Sequence, residues 1–145
     1  MTKITQVEIH EFGFDVPNLG NLTGADSVGA IGYMKGAVSR IEKFALVIIT
    51  EDGCRGEYVT HWCSTPSTCA QTKTLAPKLI GRHAEEREGI YDDMKRELRQ
   101  FDHMGQGPID IALWDWAGKQ LDLSLIHISE PTRRTPISYA VFCLK

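Results

Sequence analysis

Gly107-Pro108-Ile109-Asp110-Ile111-Ala112-Leu113-Trp114-Asp115-Trp116-Ala117-Gly118-Lys119 is the stretch whose reading decides the fold. Ile109, Ala112, Leu113, Trp116 and Ala117 recur at i, i+3, i+4, i+7 and i+8, the spacing of one apolar stripe on an α-helix. Asp110 comes early and Lys119 late, which suits the helix dipole. The same period runs upstream. Residues 84–100 place Ile90, Met94 and Leu98 at i, i+4 and i+8, with Glu86, Arg87, Asp92, Lys95 and Arg96 left for the wet side. Before that, Ser64-Thr65-Pro66 offers an N-cap with proline in the first turn, and Ala70, Leu75 and Leu79 extend a buried stripe that Pro77 must break or kink.

In the first half the period is two. Residues 4–12 and 40–50 are rich in β-branched and aromatic side chains; the second run sets Phe44, Leu46 and Ile48 against Ile41, Ala45, Val47 and Ile49, as expected of a central strand covered on both sides. Glu51-Asp52-Gly53 is turn chemistry, and residues 56–62 follow as a hairpin partner. Residues 15–39, with Pro17 and five glycines, are expected to form a long loop, and a loop of that length inside a compact domain is commonly functional. Strands first and helices afterwards predict an α+β fold: a three-stranded antiparallel meander followed by a bundle of three or four helices.

The 145 residues fall in the one-domain range. Leu123-Ser124-Leu125-Ile126-His127-Ile128-Ser129-Glu130-Pro131-Thr132-Arg133 resembles the translation of a transposase-type sequencing-library adapter. Ile137-Ser138-Tyr139-Ala140-Val141-Phe142-Cys143-Leu144 resembles the flow-cell primer site that follows one, with Arg134-Thr135-Pro136 as the index between them. Residues 1–122 are therefore expected to be the domain, and residues 123–145 a non-native tail. Without the tail's Arg133, Arg134, Lys145 and Glu130, the formal charge moves from −3 to −5. That balance excludes nucleic acid as a partner, because phosphate contacts need clustered Lys and Arg. No twenty-residue apolar run or signal pattern is present, so no membrane role and a cytoplasmic location are expected. Cys54, Cys63 and Cys69 are an odd, irregular set that makes no disulfide framework.

Ile109-Asp110-x-Ala112-Leu113-x-Asp115-x-Ala117-Gly118-Lys119 after a meander, a glycine-rich loop and helices resembles the N-terminal capping domain of the enolase superfamily, mandelate racemase/muconate lactonizing group. Thr50-Glu51-Asp52-Gly53-x-x-Gly56, Ala76-Pro77-Lys78-Leu79-Ile80-Gly81-Arg82 and Phe101-Asp102-His103-Met104-Gly105 support it; His83-Ala84 departs from it, where the family commonly has Asp-Pro. The resemblance implies a parent enzyme, a homo-oligomer, in which this cap covers a C-terminal (β/α) barrel. There a base removes the proton α to the carboxylate of a small hydroxy or sugar acid while barrel carboxylates hold Mg²⁺, whose fixed charge stabilises the developing enediolate. This chain has no Lys-x-Lys. The expectation is a domain inactive by itself, with no catalytic residue, metal ligand or cofactor of its own, partnered by a barrel outside it. The alternative is a free-standing α+β ligand-binding or interaction module without catalysis.

Asp110 and Asp115 sit five residues apart, well separated around a helix, so they are not read as a catalytic pair. His61, Cys63, Cys54 and Cys69 match no structural zinc spacing, and no orienting group completes a Cys63–His61 pair. Trp116 belongs to the buried stripe, and Trp114 suits a domain interface. The resemblance makes residues 15–39 and the segment after the third strand a water-excluding lid, with Tyr33, Met34, Tyr58, His61 and Trp62 as its substrate-facing candidates.

Overall fold

The computed structural model describes residues 1–21, 31–61 and 65–123. Strands β1 (Ile4–Asn21), β2 (Ile31–Thr50) and β3 (Arg55–Val59) form an antiparallel sheet in the order β1-β2-β3. Helices α1 (Thr65–Leu75), α2 (Arg87–Glu97) and α3 (Gln106–Gln120) follow, with a 3₁₀ turn at Ala76–Lys78 where Pro77 stops α1. This is the expected α+β meander with three helices.

The helices cover one face of the sheet. Phe44, Leu46 and Ile48 of β2 are fully buried against Ile109, Ala112, Leu113, Trp116 and Ala117 of α3, all five predicted stripe positions being buried. Each such fully buried Leu, Ile or Phe contributes roughly 1.5–3 kcal/mol. α3 approaches β3 so closely that a Cβ at Gly56 would stand 2.1 Å from the Ala112 carbonyl oxygen. The Trp116 indole N–H donates to Thr50 Oγ1 at 2.9 Å, and Asp115 Oδ2 accepts the Glu57 backbone N–H at 2.8 Å. Lys119 Nζ reaches Asp115 (2.7 Å), Glu57 (3.0 Å) and the Arg55 carbonyl (3.0 Å). Burial opposes the Lys119 charge, but the hydrogen bonds to Asp115 and Glu57 outweigh it and hold the ammonium above its ordinary range. Asp115 and Lys119 thus clamp the edge strand.

α3 ends in a Schellman motif. Asp122 takes φ +53°, Leu123 N–H bonds Gly118 O at 2.8 Å and Asp122 N–H bonds Lys119 O at 3.2 Å. The Leu123 contribution is a backbone N–H, which any residue there would supply.

Several expectations need correction. Residues 15–21 and 31–39 are not a loop: β1 and β2 run on as a ribbon, Asp15 pairing with Arg40 and Asn21 with Ile31. The register shift between Pro17 and Leu19, with Asn18 at φ +57°, absorbs the missing proline N–H, so Pro17 does not end the pairing. Residues 22–30 lie outside the described residues. Among the described residues the second face of β2 carries no helix; there the Arg55–Glu8 ion pair (3.9 Å) joins the two strands that flank Val47. In α1 the buried row is Cys69, Thr72 and Leu75, with Leu79 beyond it, and Ala70 is exposed. The expected third strand, 56–62, is Arg55–Val59, and α2 is shorter than 84–100 although Ile90, Met94 and Leu98 are buried as predicted. Among the described residues no helix is long and apolar enough to cross a membrane.

Candidate functional site

β3 is much shorter than its neighbours, and that mismatch creates the site. Its last ladder pair is Val59 with Ala45. Thr60 then closes the strand with its side chain: Phe44 N–H donates to Thr60 Oγ1 at 3.1 Å, while Thr60 N–H donates to Phe44 O at 3.0 Å. Thr65 Oγ1 donates to the His61 carbonyl at 3.2 Å where α1 begins. Beyond Phe44 the ribbon therefore lacks a third strand among the described residues. A cavity of about 270 Å³ opens there, between Glu11, Gly13, Arg40, Glu42 and Lys43 of the ribbon and Thr65, Pro66 and Cys69 of α1.

Two of its charges, Glu11 and Arg40, are paired. Glu11 bonds Lys73 of α1, whose hydrogen bond and charge hold the Glu11 carboxyl below its usual range and the Lys73 ammonium above its own. Arg40 Nη1 lies 3.4 Å from Asp15 Oδ1, and the guanidinium lies against Gly13, where a Cβ would stand 3.0 Å from Nη2. Burial, then the Glu11 charge, pushes the Cys69 thiol up. A protonated buried thiol is a poor nucleophile. The arrangement can bind and exclude water, with Glu11 and Arg40 already committed to partners. Among the described residues no three His, Cys, Asp or Glu side chains converge to hold a metal.

The sequence candidates fall in two places. Tyr33 is exposed on the ribbon opposite Leu19, and Met34 packs across the strand beside Gly20. Tyr58 stands opposite Leu46 on the helix-facing side, packed against the core. His61 is exposed directly after β3. Trp62 and Cys63 lie outside the described residues. Positions 33 and 46 are far apart along β2, so the ladder does not bring Tyr33 to Tyr58. The residues that line the cavity, Glu11, Arg40 and Lys43 among them, were not singled out from sequence. The available signal was Gly13 between Phe12 and Phe14, since glycine inside a strand often marks a close approach. Asp115 has the clamp role described above, and Asp110 lies apart from it, half-buried on the α3 face near Arg87.

The family described as Mandelate racemase / muconate lactonizing enzyme, N-terminal domain, matches residues 33–128. Among solved structures, the chain is similar to D-glucarate dehydratase from Agrobacterium tumefaciens complexed with magnesium (27% identity, TM-score 0.62, 82% of this chain and 30% of that one). It is also similar to an enolase from Pseudomonas fluorescens Pf0-1 with bound magnesium, potassium and tartrate (15%, TM-score 0.69, 92% and 33%). A third likeness is to a member of the enolase superfamily from Polaromonas sp. JS666 (20%, TM-score 0.64, 82% and 31%). The chain spans about a third of the length of these relatives. No curated protein matches it.

Proposed function

The chain belongs to the mandelate racemase/muconate lactonizing enzyme family, whose N-terminal domain it carries, and we propose that it is the substrate-capping part of a racemase or dehydratase acting on hydroxy or sugar acids by α-proton abstraction. The observation that carries this reading is the opening left by the short β3, where the β1–β2 ribbon and the start of α1 face each other across one cavity. A ribbon and a turn meeting over an opening can shed water from a substrate beneath them and shape its distal end. Tyr33, Met34, Tyr58, His61 and Trp62 are the proposed substrate-facing side chains.

Mg²⁺, complexed in the A. tumefaciens relative, supplies the fixed positive charge that stabilises an enediolate when it is bound. The residues described here do not fit that ion: Glu11 is committed to Lys73, and no acidic trio converges. In this reading its ligands and the catalytic base belong to the rest of a longer enzyme. The domain division follows the same reading, residues 1–122 acting as cap and 123–145 contributing nothing to it.

The test is α-proton exchange in D₂O with Mg²⁺ on tartrate, D-glucarate and mandelate. The 145-residue chain should leave exchange at the uncatalysed rate, while the reading frame extended in its source DNA should catalyse it. Chelator-sensitive exchange by the 145 residues alone would overturn the proposal.

A further inference from the structure

β1 is the open edge of the sheet, and along the middle of the strand its outer backbone groups have no ladder to join. Phe44 directs both its N–H and its C=O at Thr60, on the β3 side of β2. Its register partner on β1, Glu11, therefore sits in a non-hydrogen-bonded pair, with its own N–H and C=O pointing away from β2; Ile9 and Val7, two and four residues earlier, point the same way. At the start of the strand this outer edge is occupied: Ile4 N–H donates to Arg82 O at 2.9 Å, and Gly81 N–H donates to Ile4 O at 2.8 Å. At Val7, Ile9 and Glu11 no backbone bond reaches it among the described residues. Natural edges are commonly blunted by lysine, proline or a bulge. From Gln6 to Val16 this one has neither lysine nor proline, and its register with β2 is unbroken. Val7 and Ile9 pack against the core only in part and leave the rest of their apolar surface at the rim.

We propose that this edge pairs with the same edge of a second copy, antiparallel about a two-fold axis through Ile9, joining two three-stranded sheets into one of six strands. An edge that meets itself must be self-complementary, with residue i facing j and j facing i. An axis at Glu8 or at Glu11 sets carboxylates face to face, one at His10 sets imidazole against imidazole, and one at Val7 runs the incoming strand onto residues 81–82 beside Ile4. The axis at Ile9 sets Ile9 against Ile9, Val7 against the stem of Glu11, and each Glu8 carboxylate against the other copy's His10 in the close, non-hydrogen-bonded pair. Within one chain Glu8 and His10 already meet at 3.0 Å, so the cross-copy pairs complete a row of four alternating groups. Val7, Ile9 and Glu11 of the two copies exchange about six backbone hydrogen bonds. Pairing ends with Gln6 opposite Phe12, and past Gly13 the two-stranded ribbon twists clear of residues 81–82. The contact is narrower than a standard interface, so the dimer is weak and concentration-dependent. It uses only groups of this domain and is independent of the capping reading.

Sedimentation velocity on the 145-residue chain, from about 10 to 500 µM, should show a monomer–dimer equilibrium. Ile9→Pro removes an N–H that the β1–β2 ladder does not use, so it should keep the far-UV circular dichroism and give a monomer throughout. His10→Glu sets two carboxylates opposite each other on both sides of the axis and should weaken the dimer about ten-fold; adding Glu8→Lys restores opposite charges and should recover it. Urea denaturation of each variant separates these effects from lost folding. A wild-type chain that stays monomeric at the highest concentration would overturn the proposal, as would a dimer that Ile9→Pro and His10→Glu both leave intact. A dimer lost on Val59→Lys but not on Ile9→Pro would put the contact on the sheet face away from the helices. One lost when residues 124–145 are deleted would give it to that segment, and either result overturns the edge pairing.

Discussion

The sheet has two halves built on different principles. Residues 44–50 of β2 sit between two strands and beneath three helices, with Phe44, Leu46 and Ile48 fully buried. Residues 31–40 of the same strand pair only with β1, and Tyr33 and Val38 are 75% and 66% exposed. One half is held by packing, by the Gly56–Ala112 contact and by the Asp115–Lys119 clamp. The other is held by its own ladder, and two-stranded ribbons are marginal alone. Of the proposed substrate-facing residues, Tyr33 and Met34 fall on the weakly held half, where closing elements are drawn from, whereas Tyr58 belongs to the packed one.

The largest expected effect breaks the packed half. Gly56→Ala drives a methyl group into the Ala112 carbonyl, a backbone atom with no rotamer to yield, and should destabilise by about 3 kcal/mol or more as overpacking at a rigid contact. Urea denaturation checks it, and a loss below about 1 kcal/mol would show that α3 can slide off β3. Trp116→Phe comes next. It removes the buried bond to Thr50 Oγ1 and should cost about 1–3 kcal/mol.

The clamp gives a pH signature. The Lys119 pKa is raised on folding, so its contribution is complete below the ordinary lysine range and is lost as pH climbs through the folded value. Lys119→Met should therefore flatten the fall in melting temperature between about pH 10 and 12, given an ordinary lysine pKa near 10.4. An unchanged alkaline slope would remove the clamp from the account. A gain is expected at the helix end, where Asp122→Gly relieves a left-handed non-glycine residue and should stabilise by about 0.5–1 kcal/mol.

The smallest effects belong to the ribbon. Tyr33→Ala should change stability by less than about 0.5 kcal/mol, and deuterium exchange at residues 15–21 and 31–40 should outrun residues 44–50 by orders of magnitude. Equal protection across β2 would mean that the ribbon shares the global unfolding energy, and the comparison between halves would fail.

How much was legible depended on range. Period 3.6 in α3 and period 2 in β2 predicted all five α3 stripe residues and the three core residues of β2, because amphipathic spacing reports burial directly. Residues 15–21 and 31–39 form strand where a loop is expected, because glycine and proline are read as breakers, whereas here a single register shift beside Pro17 accommodates the proline within a ladder. Trp62 lies outside the described residues, so its expected position is not part of that comparison.

By itself the sequence determined the α+β class, the order of elements, the core stripes of β2, α2 and α3 and, through the α3 motif, the family. Those properties depend on neighbours within a few residues and on side-chain chemistry alone. Only the tertiary structure decided that Asp115 and Lys119 hold Glu57, that Arg40 lies against Gly13 over a cavity, and that Arg87 stacks on Trp114 near a half-buried Asp110. Each of these joins residues that are distant in sequence or desolvates a group whose spacing looks ordinary. Partner identity and burial there are set by how strands of unequal length pack under helices, which no local pattern encodes.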